Sequence, residues 1–391
     1  MTAGHSHARP APESARLRRI AVLVIAPIAV LTIAAMVWLW PSGDVAGAEE
    51  LAGEQVDGRI VSIEAQPCEE ELTEDTNGCG TAQVRLDSGP EEGRTIEVDL
   101  PNGSGAPTIA DGDAVVVLVS DTPEGDLYSV VDHQRGSEMW VLVLVSVLAL
   151  LAFGRWRGLS AVGGLVVTFG ILLWFIVPAI LAGESPVLVA LVGSAAIMVS
   201  VLYLTHGLTL ATTVAVLGTT ASFALTGLLA AVSVAALHLT GVTDDLSMAV
   251  GSTYDVDMRG LLLAGIVIGT LGVLDDITVT QAATVDELAR ANPDYGTLQL
   301  YRAATRVGRA HIASVVNTII LAYAGSSLPV LVLVVADNGS LAEVLTDQFL
   351  AQEIVRSLVG TLGLIAAVPI TTGLAAVALR RPQEEVSAAR A

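Results

Sequence analysis

The stretch that decides the fold is Gly260–Ala282, which reads GLLLAGIVIGTLGVLDDITVTQA. At about 1.5 Å per residue, a helix of this length spans the hydrocarbon core of a bilayer, which is about 30 Å thick. Its only charged residues are the adjacent Asp275 and Asp276. The stretch therefore predicts a membrane-spanning helix that carries two carboxylates.

The rest of the chain has the same apolar character. Hydrophobic residues make up 53% of the sequence and charged residues 15%, whereas about a quarter of the residues in a soluble domain are charged. We predict a polytopic α-helical membrane protein with about eight transmembrane helices. The predicted spans are Ile20–Trp40, Glu138–Phe153, Leu159–Leu181, Pro186–Leu204, Leu208–His238, Arg259–Ala282, His311–Ala336 and Ile354–Leu379.

The arginines predict the orientation, because basic residues accumulate near span ends on the cytoplasmic side. If the N-terminus is cytoplasmic, 13 of the 19 arginines lie inside. We therefore expect both termini in the cytoplasm. The predicted parts are a cytoplasmic tail (1–19), a first transmembrane helix (20–40), an external acidic domain (41–137), a multi-span body of about seven helices (138–379) and a second cytoplasmic tail (380–391).

The external domain carries most of the net charge of −21, with 23 acidic residues and four arginines between Asp44 and Glu138. Such a surface repels nucleic acid, so no nucleic-acid partner is expected. Short alternating segments separated by turn residues predict a small β-rich domain, either a barrel or an OB-like fold. The predicted strands are Arg59–Ala65, Ala82–Leu86, Thr95–Leu100, Ala114–Ser120 and Leu127–Val131.

Cys68 and Cys79 are the only cysteines, and both lie in this external domain. An oxidising compartment favours a disulfide between them, while free or metal-binding thiols are the alternative. The acidic run between them is either a weak Ca²⁺ site or a solvated loop, and we predict no metal site. Ala46–Ala48 resembles a signal-peptidase site, so the first span is either a retained anchor or a cleaved signal.

A stripe along the sixth span connects Gly265, Gly269, Gly272 and Asp276 at helical spacing. Small residues at this spacing predict close packing against a neighbouring helix, with Asp276 facing the packed seam. Two adjacent carboxylates at membrane depth indicate binding of a proton or a cation. The alternative is that the pair caps a helix end near the interface.

The seventh span supplies possible partners for the aspartates, namely Ser314, Asn317 and Thr318. Asn317 is predicted to be a buried amide with a hydrogen-bond partner, either as part of a binding site or as a link between helices. The fifth span also carries a threonine face, which either lines a path or bonds back to its own helix. Its members are Thr205, Thr209, Thr212, Thr213, Thr219 and Thr220.

The sequence lacks the common motifs of catalysis and of nucleotide binding. There is no lysine, so a phosphate-binding loop of the Gly-x-x-x-x-Gly-Lys type is absent, and neither a His-Glu-x-x-His nor a Gly-x-Ser-x-Gly motif occurs. We therefore predict no catalytic residue, no enzymatic activity and no cofactor.

The run LLLAGIVIGTLGVLDDITVTQAATVDE at Leu261–Glu287 resembles the signature of the YibE/F-like membrane proteins. The order of the parts is also similar, from an external segment containing Asp132-His133-Gln134-Arg135 to a multi-span body, over about Gln55 to Leu379. The resemblance implies an integral membrane protein of the bacterial cytoplasmic membrane. It implies no substrate.

We expect a secondary permease for an unknown small solute or ion, in which Asp275 and Asp276 handle a coupling proton or cation. The alternatives are a non-transporting envelope scaffold, or an accessory subunit that recruits a partner through the external domain. Expected partners are the lipid bilayer and either another membrane protein or further copies of the chain.

Overall fold

The computed structural model describes residues 15–41, 54–66, 68, 76–103, 105–122, 125–336 and 346–380. They form two compact units, each of which is described separately. A sheet unit lies within residues 45–155, and a helical unit is formed by the chain before residue 45 and after residue 155. The acidic loop between Cys68 and Cys79, the tripeptide Ala46–Ala48 and both predicted cytoplasmic tails lie wholly or largely outside the described residues.

The sheet unit contains β1 (Glu54–Gln66), β2 (Cys79–Leu86), β3 (Thr95–Asp99), β4 (Ala114–Thr122) and β5 (Gly125–His133). All neighbours pair antiparallel, in the order β3-β2-β1-β4-β5. The first and last strands of this order, β3 and β5, also approach each other, so the sheet curves as in a partly open five-stranded barrel. Each of the predicted strands overlaps one of these elements.

Alternating side chains build the core of this unit, as period-2 hydrophobicity dictates for a sheet with one covered face. Val84, Val115 and Val117 are completely buried, while their neighbours along each strand face outward. Cys68 and Cys79 are joined by a disulfide, with 5.1 Å between their Cα atoms. Helix α2 (Gly136–Gly154) follows β5 and belongs to the same unit, and none of its residues is buried.

The described helices of the helical unit are α1 (Ala15–Trp38), α3 (Trp156–Ile171), α4 (Val177–Leu181), α5 (Pro186–His206), α6 (Leu210–Ala236), α7 (Asp245–Tyr254), α8 (Met258–Ala291), α9 (Thr297–Ser326), α10 (Leu328–Ala336) and α11 (Gln348–Ala378). A π-helical turn at Leu172–Ile176 joins α3 to α4. With α2 included and α3 to α4 counted as one, seven described helices are long and apolar enough to cross a membrane, and α1 contains a shorter apolar helix, Val22–Trp38. These helices fit a polytopic helical membrane protein.

Helix α8 is the centre of the helical unit because it packs against α5, α6, α9 and α11. Its buried face includes Ile266, Leu274 and Ile277, each at most 1% exposed. Helix α1 joins the same unit by packing against α5 and α6, with Ile25 and Leu39 buried. Helix α1 therefore contributes to the core of the helical unit, and the choice between a retained anchor and a cleaved signal stays a prediction.

Helices α6 and α11 approach each other closely at two glycines that the sequence analysis did not single out. A Cβ added at Gly363 would overlap the Thr226 hydroxyl, and a Cβ at Gly218 would overlap the Thr371 hydroxyl. Both threonines are buried, with at most 1% exposure. These two glycines are therefore required for the contact between the two helices.

We predict opposite effects of one substitution at two glycines. Gly363→Ala should lower the free energy of unfolding by about 1–3 kcal/mol, because it overpacks the helix contact. Gly272→Ala should be neutral or stabilising by up to about 1 kcal/mol, because alanine has the higher helix propensity and its Cβ would meet nothing within 4 Å. Thermal unfolding of the two purified variants in one detergent measures this, and equal midpoints would contradict the assignment of the packed contact.

An exposed ion-pair network in the sheet unit predicts a pH dependence. Tyr128 Oη donates a hydrogen bond of 2.6 Å to Glu91, which also pairs with Arg94. The hydrogen bond from Tyr128, with help from Arg94, lowers the pKa of Glu91, and the same bond raises the pKa of Tyr128 to about 12. The stabilisation is therefore fully present between about pH 5 and pH 10, the unfolded-state values of the two groups.

The Tyr128→Phe variant should unfold at a lower temperature than the wild type by an amount that is constant across that window. The difference should shrink as the pH falls through the lowered pKa of Glu91, because the protonated carboxyl has lost most of its attraction for both partners. It should also shrink as the pH rises through the raised pKa of Tyr128. Calorimetry at a series of pH values tests this, and a difference independent of pH would contradict it.

Candidate intramembrane polar site

The two adjacent aspartates of α8 lie in different environments, because consecutive residues of a helix point about 100° apart. Asp275 is partly buried, and its Oδ1 atom is buried with no hydrogen-bond partner among the described residues. The Thr219 hydroxyl on α6 interacts with the Asp275 carboxylate. Asp276 has a side chain that is 68% exposed. Only Asp275 therefore faces the buried contact between α6 and α8.

Two threonine hydroxyls meet beside Asp275. Thr219 Oγ1 lies 2.6 Å from Thr278 Oγ1, and both residues are fully buried. Thr219 is also within hydrogen-bond distance of the Ala215 carbonyl, at 3.0 Å, and Thr278 of the Asp275 carbonyl, at 3.1 Å. Since each hydroxyl has one proton, at most two of these three contacts are hydrogen bonds at one time, and the hydroxyl oxygens keep lone pairs for another ligand.

The polar contacts continue one to two turns further along α8 toward α11. Thr372 donates a hydrogen bond of 2.9 Å to Gln281 Oε1, while Gln281 Nε2 is buried without a partner in the described part of the chain. Gly308 on α9 leaves room for this amide, since a Cβ there would lie 2.7 Å from Gln281 Nε2. Sequence reasoning did not identify Gln281, although a glutamine in an apolar run is a usable signal.

Asp276 lies on the other side of α8, beside α9. His311 Nε2 is 3.8 Å from Asp276 Oδ2, which is an ion pair if the imidazole is protonated. The same nitrogen is buried and has no hydrogen bond within the described ranges. The Asp276–His311 pair is therefore a second polar position on α8, distinct from the environment of Asp275.

The glycine stripe does not form the predicted packing seam. Gly269 and Gly272 are exposed, and only Gly265 is partly buried. The tips of long side chains approach this stripe instead of another backbone, with Arg356 near Gly265 and Tyr323 near Gly269. The reason is that branched and threonine side chains fill the contacts of α8 with α6 and α11, and the glycines fall outside that face.

The predicted partners on α9 also differ from expectation. Ser314, Asn317 and Thr318 are exposed rather than buried, and Asn317 makes no side-chain hydrogen bond with the residues that the structure describes. Thr318 bonds back to the Ser314 carbonyl of its own helix at 3.2 Å. The physical reason is that Ile319 and the residues beside it turn the opposite face of α9 toward the core. These three residues are therefore not brought to the buried aspartate.

The threonine face of the fifth span divides between two roles. Thr213, Thr219 and Thr220 are each within hydrogen-bond distance of a carbonyl one turn earlier in their own helix. Of these three, Thr219 also contacts Thr278 on α8. Threonines that are satisfied by their own helix carry no argument for a path.

No group of three or more His, Cys, Asp or Glu side chains with metal-binding geometry occurs among the described residues. An open groove of about 1400 Å³ lies between α3, α5 and α8. Its lining is mostly apolar, with Arg157, His206 and Glu287 among the polar residues. It includes Thr205 of the threonine face, but neither aspartate of α8 and none of the predicted partners on α9.

The family model described as YibE/F-like protein matches residues 142–381, which is more than half of the chain. The chain belongs to the YibE/F-like family. The match begins inside α2, so it covers the helical region and leaves out the sheet, whereas the resemblance in the order of parts extends back to about Gln55. Comparison with curated proteins and with solved structures found no match. All the polar positions described above lie within the YibE/F-like region.

The buried carboxylate predicts that one substitution stabilises the protein. Asp275→Asn should raise the free energy of unfolding by about 1–3 kcal/mol, because an amide of the same shape keeps the Thr219 contact and needs no neutralisation. Asp276→Asn, at the exposed neighbour, should change it by less than about 0.5 kcal/mol. Thermal unfolding in detergent near neutral pH is the measurement, and a destabilised Asp275→Asn variant with a stable Asp276→Asn control would contradict the analysis.

Proposed function

We propose that the protein is a secondary permease in which Asp275 binds the coupling ion, either a proton or a monovalent cation. The observation that carries this proposal is the buried, unpartnered Oδ1 of Asp275 in a helix long and apolar enough to cross a membrane. An ionised carboxylate in such a place costs several kcal/mol unless it is neutralised. Packing between helices alone gives no reason to retain this carboxylate.

The surroundings of Asp275 suit both kinds of coupling ion. A proton neutralises the carboxylate directly, and the neutral acid then donates a hydrogen bond to a neighbouring hydroxyl. A small cation would instead take oxygen ligands from Asp275, Thr219 and Thr278. The hydroxyl oxygens of the two threonines lie 2.6 Å apart. In either case, binding changes the free energy of the contact between α6 and α8.

The change in the free energy of the contact between α6 and α8 couples ion binding to transport. A carrier needs two conformations whose relative populations depend on occupancy of the site, and an ion shifts them only by its differential affinity for the two. With the site occupied, α6 and α8 pack closely around a neutral group. With the site empty, the charge favours a conformation that exposes Asp275 to water. The protein therefore acts as a carrier and not as an enzyme.

For the membrane arrangement we propose about eight spans in the bacterial cytoplasmic membrane, made of the long helices and α1. Both termini are cytoplasmic and the sheet unit lies outside. The excess of arginine on the proposed inner side supports this orientation. The disulfide between Cys68 and Cys79 also fits an oxidising compartment.

The test is flux through the purified protein in sealed proteoliposomes, with a pH-sensitive dye inside and a panel of ions and small metabolites outside. Asp275→Asn should reduce gradient-driven flux to the level of empty liposomes, because the variant cannot bind the coupling ion. The matched control Asp276→Asn should keep flux within about a factor of two to three, as expected at an exposed position.

Undiminished flux in a folded Asp275→Asn variant would refute the assigned role of this carboxylate. If wild-type protein gave no flux under any gradient, the envelope scaffold or accessory subunit would replace the permease. Those alternatives predict a partner that co-purifies through the sheet unit and tolerance of intramembrane polar substitutions.

A further inference from the structure

An ion pair in α11 has unsatisfied atoms of both signs. Arg356 Nη1 donates to Glu353 Oε1 at 2.9 Å, and the two side chains are 27% and 18% exposed. Arg356 Nε and Glu353 Oε2 are buried and have no hydrogen-bond partner among the described residues. A completed buried ion pair satisfies its remaining protons and lone pairs as well. This pair therefore has one unsatisfied donor and one unsatisfied acceptor, and because both atoms are buried, a ligand reaches them only when the neighbouring side chains move apart.

The ion pair lies within the first three turns of α11, beside Gly265 of α8. Helices α8 and α11 run side by side in the same direction, since Gly265 lies beside Arg356 and Gln281 bonds Thr372. Asp276 is eleven residues beyond Gly265 along α8, a distance of about 16 Å. The ion pair and Asp276 are thus separated by about half the thickness of a bilayer core. Gly265 is seven residues from the start of α8, so the ion pair lies about 10 Å along that helix. Ionisable groups within a membrane-spanning helix are candidates for a functional role.

Between these two levels, the exposed glycines leave a strip of α8 without side chains. Tyr323 Oη lies near Gly269, at 3.3 Å from the position of a Cβ, and a Cβ at Gly272 would meet nothing within 4 Å. The strip ends at Asp276 and His311 in one direction along α8, and at the Glu353–Arg356 pair in the other direction. Polar groups therefore flank an open strip that runs parallel to α8.

We propose that Arg356, Glu353 and Tyr323 form a binding subsite for a small zwitterionic solute, reached by water along the glycine strip of α8. This inference deepens the proposed permease function and rests on it. The carboxylate of the solute pairs with Arg356 Nε and its ammonium group with Glu353 Oε2, while Tyr323 Oη is free to donate or accept a hydrogen bond. The complex keeps a net charge of zero.

Net neutrality selects this class of solute. A lone anion or cation added to the Glu353–Arg356 pair would leave one uncompensated charge in a poorly solvated place, which is strongly unfavourable. A zwitterion instead completes an alternating arrangement of four charges. It also satisfies both of the buried atoms that lack partners.

Cysteine substitution tests the water path in the full-length protein. The only native cysteines, Cys68 and Cys79, are bonded to each other, so the background has no free thiol. Gly272→Cys fits without a clash, and Gly269→Cys needs only a small shift of Tyr323. The matched control is Leu362→Cys, a 51% exposed position of α11 at nearly the same level as Gly272.

In proteoliposomes, a charged methanethiosulfonate reagent should modify both glycine-site cysteines faster than Leu362→Cys by about tenfold or more, because only a hydrated thiolate reacts. A mixture of free zwitterionic amino acids should slow the reaction at Gly269→Cys, and sodium chloride of equal osmolarity should not. Equal modification rates at all three positions would refute the proposed water path along the glycine strip. Fast modification that amino acids leave unchanged would overturn the zwitterion subsite.

These outcomes are separable from the failure of the permease proposal. The permease proposal fails if ion-coupled flux survives Asp275→Asn, whatever the labelling result. The subsite fails if Glu353→Gln combined with Arg356→Gln leaves amino-acid protection of Gly269→Cys intact, whether or not flux requires Asp275. The double substitution removes both charges together, so neither is left buried and unpaired.

Discussion

A carboxylate buried at a helix contact has to be neutralised, and this constraint acts at the centre of the helical unit. Asp275 lies on α8, the helix that packs against four others, so its environment cannot be relieved by moving one side chain. The hydroxyls of Thr219 and Thr278 beside it already make local hydrogen bonds within and between helices. The packing of α6, α8 and α11 therefore depends on what binds at this position.

Helix α8 separates two polar environments on its two sides. One side is compact and threonine-rich, with Thr219 and Thr278 fully buried beside Asp275. The other has an exposed glycine strip, flanked by Asp276 and His311 and by the pair Glu353–Arg356. In a carrier, the first environment suits a small coupling ion and the second suits a larger solute. Because both lie on one rigid helix, a movement of α8 would change access to the two together.

Much of the architecture could be predicted from the sequence, because membrane spans and strands follow from local patterns. Long apolar runs correspond to the long helices, and alternating residues correspond to each of the five strands. The pattern could not show which aspartate is buried, since that depends on which neighbours α8 meets. It also misplaced the glycine seam, because close approach depends on both partners, and Gly363 requires Thr226 on another helix. The pair Glu353–Arg356 was overlooked because each residue alone resembles a charge near a span end.

The most direct measurement of the central claim is the site of reaction with a lipophilic carbodiimide, which modifies protonated carboxyl groups in apolar surroundings. Purified protein in liposomes would be treated near neutral pH and mapped by peptide mass spectrometry. The account predicts modification at Asp275 that is slowed by alkaline pH or by the coupling cation, with Asp276 left unmodified. Modification at Asp276 with an unreactive Asp275 would show that the buried carboxylate is not the ion-binding group.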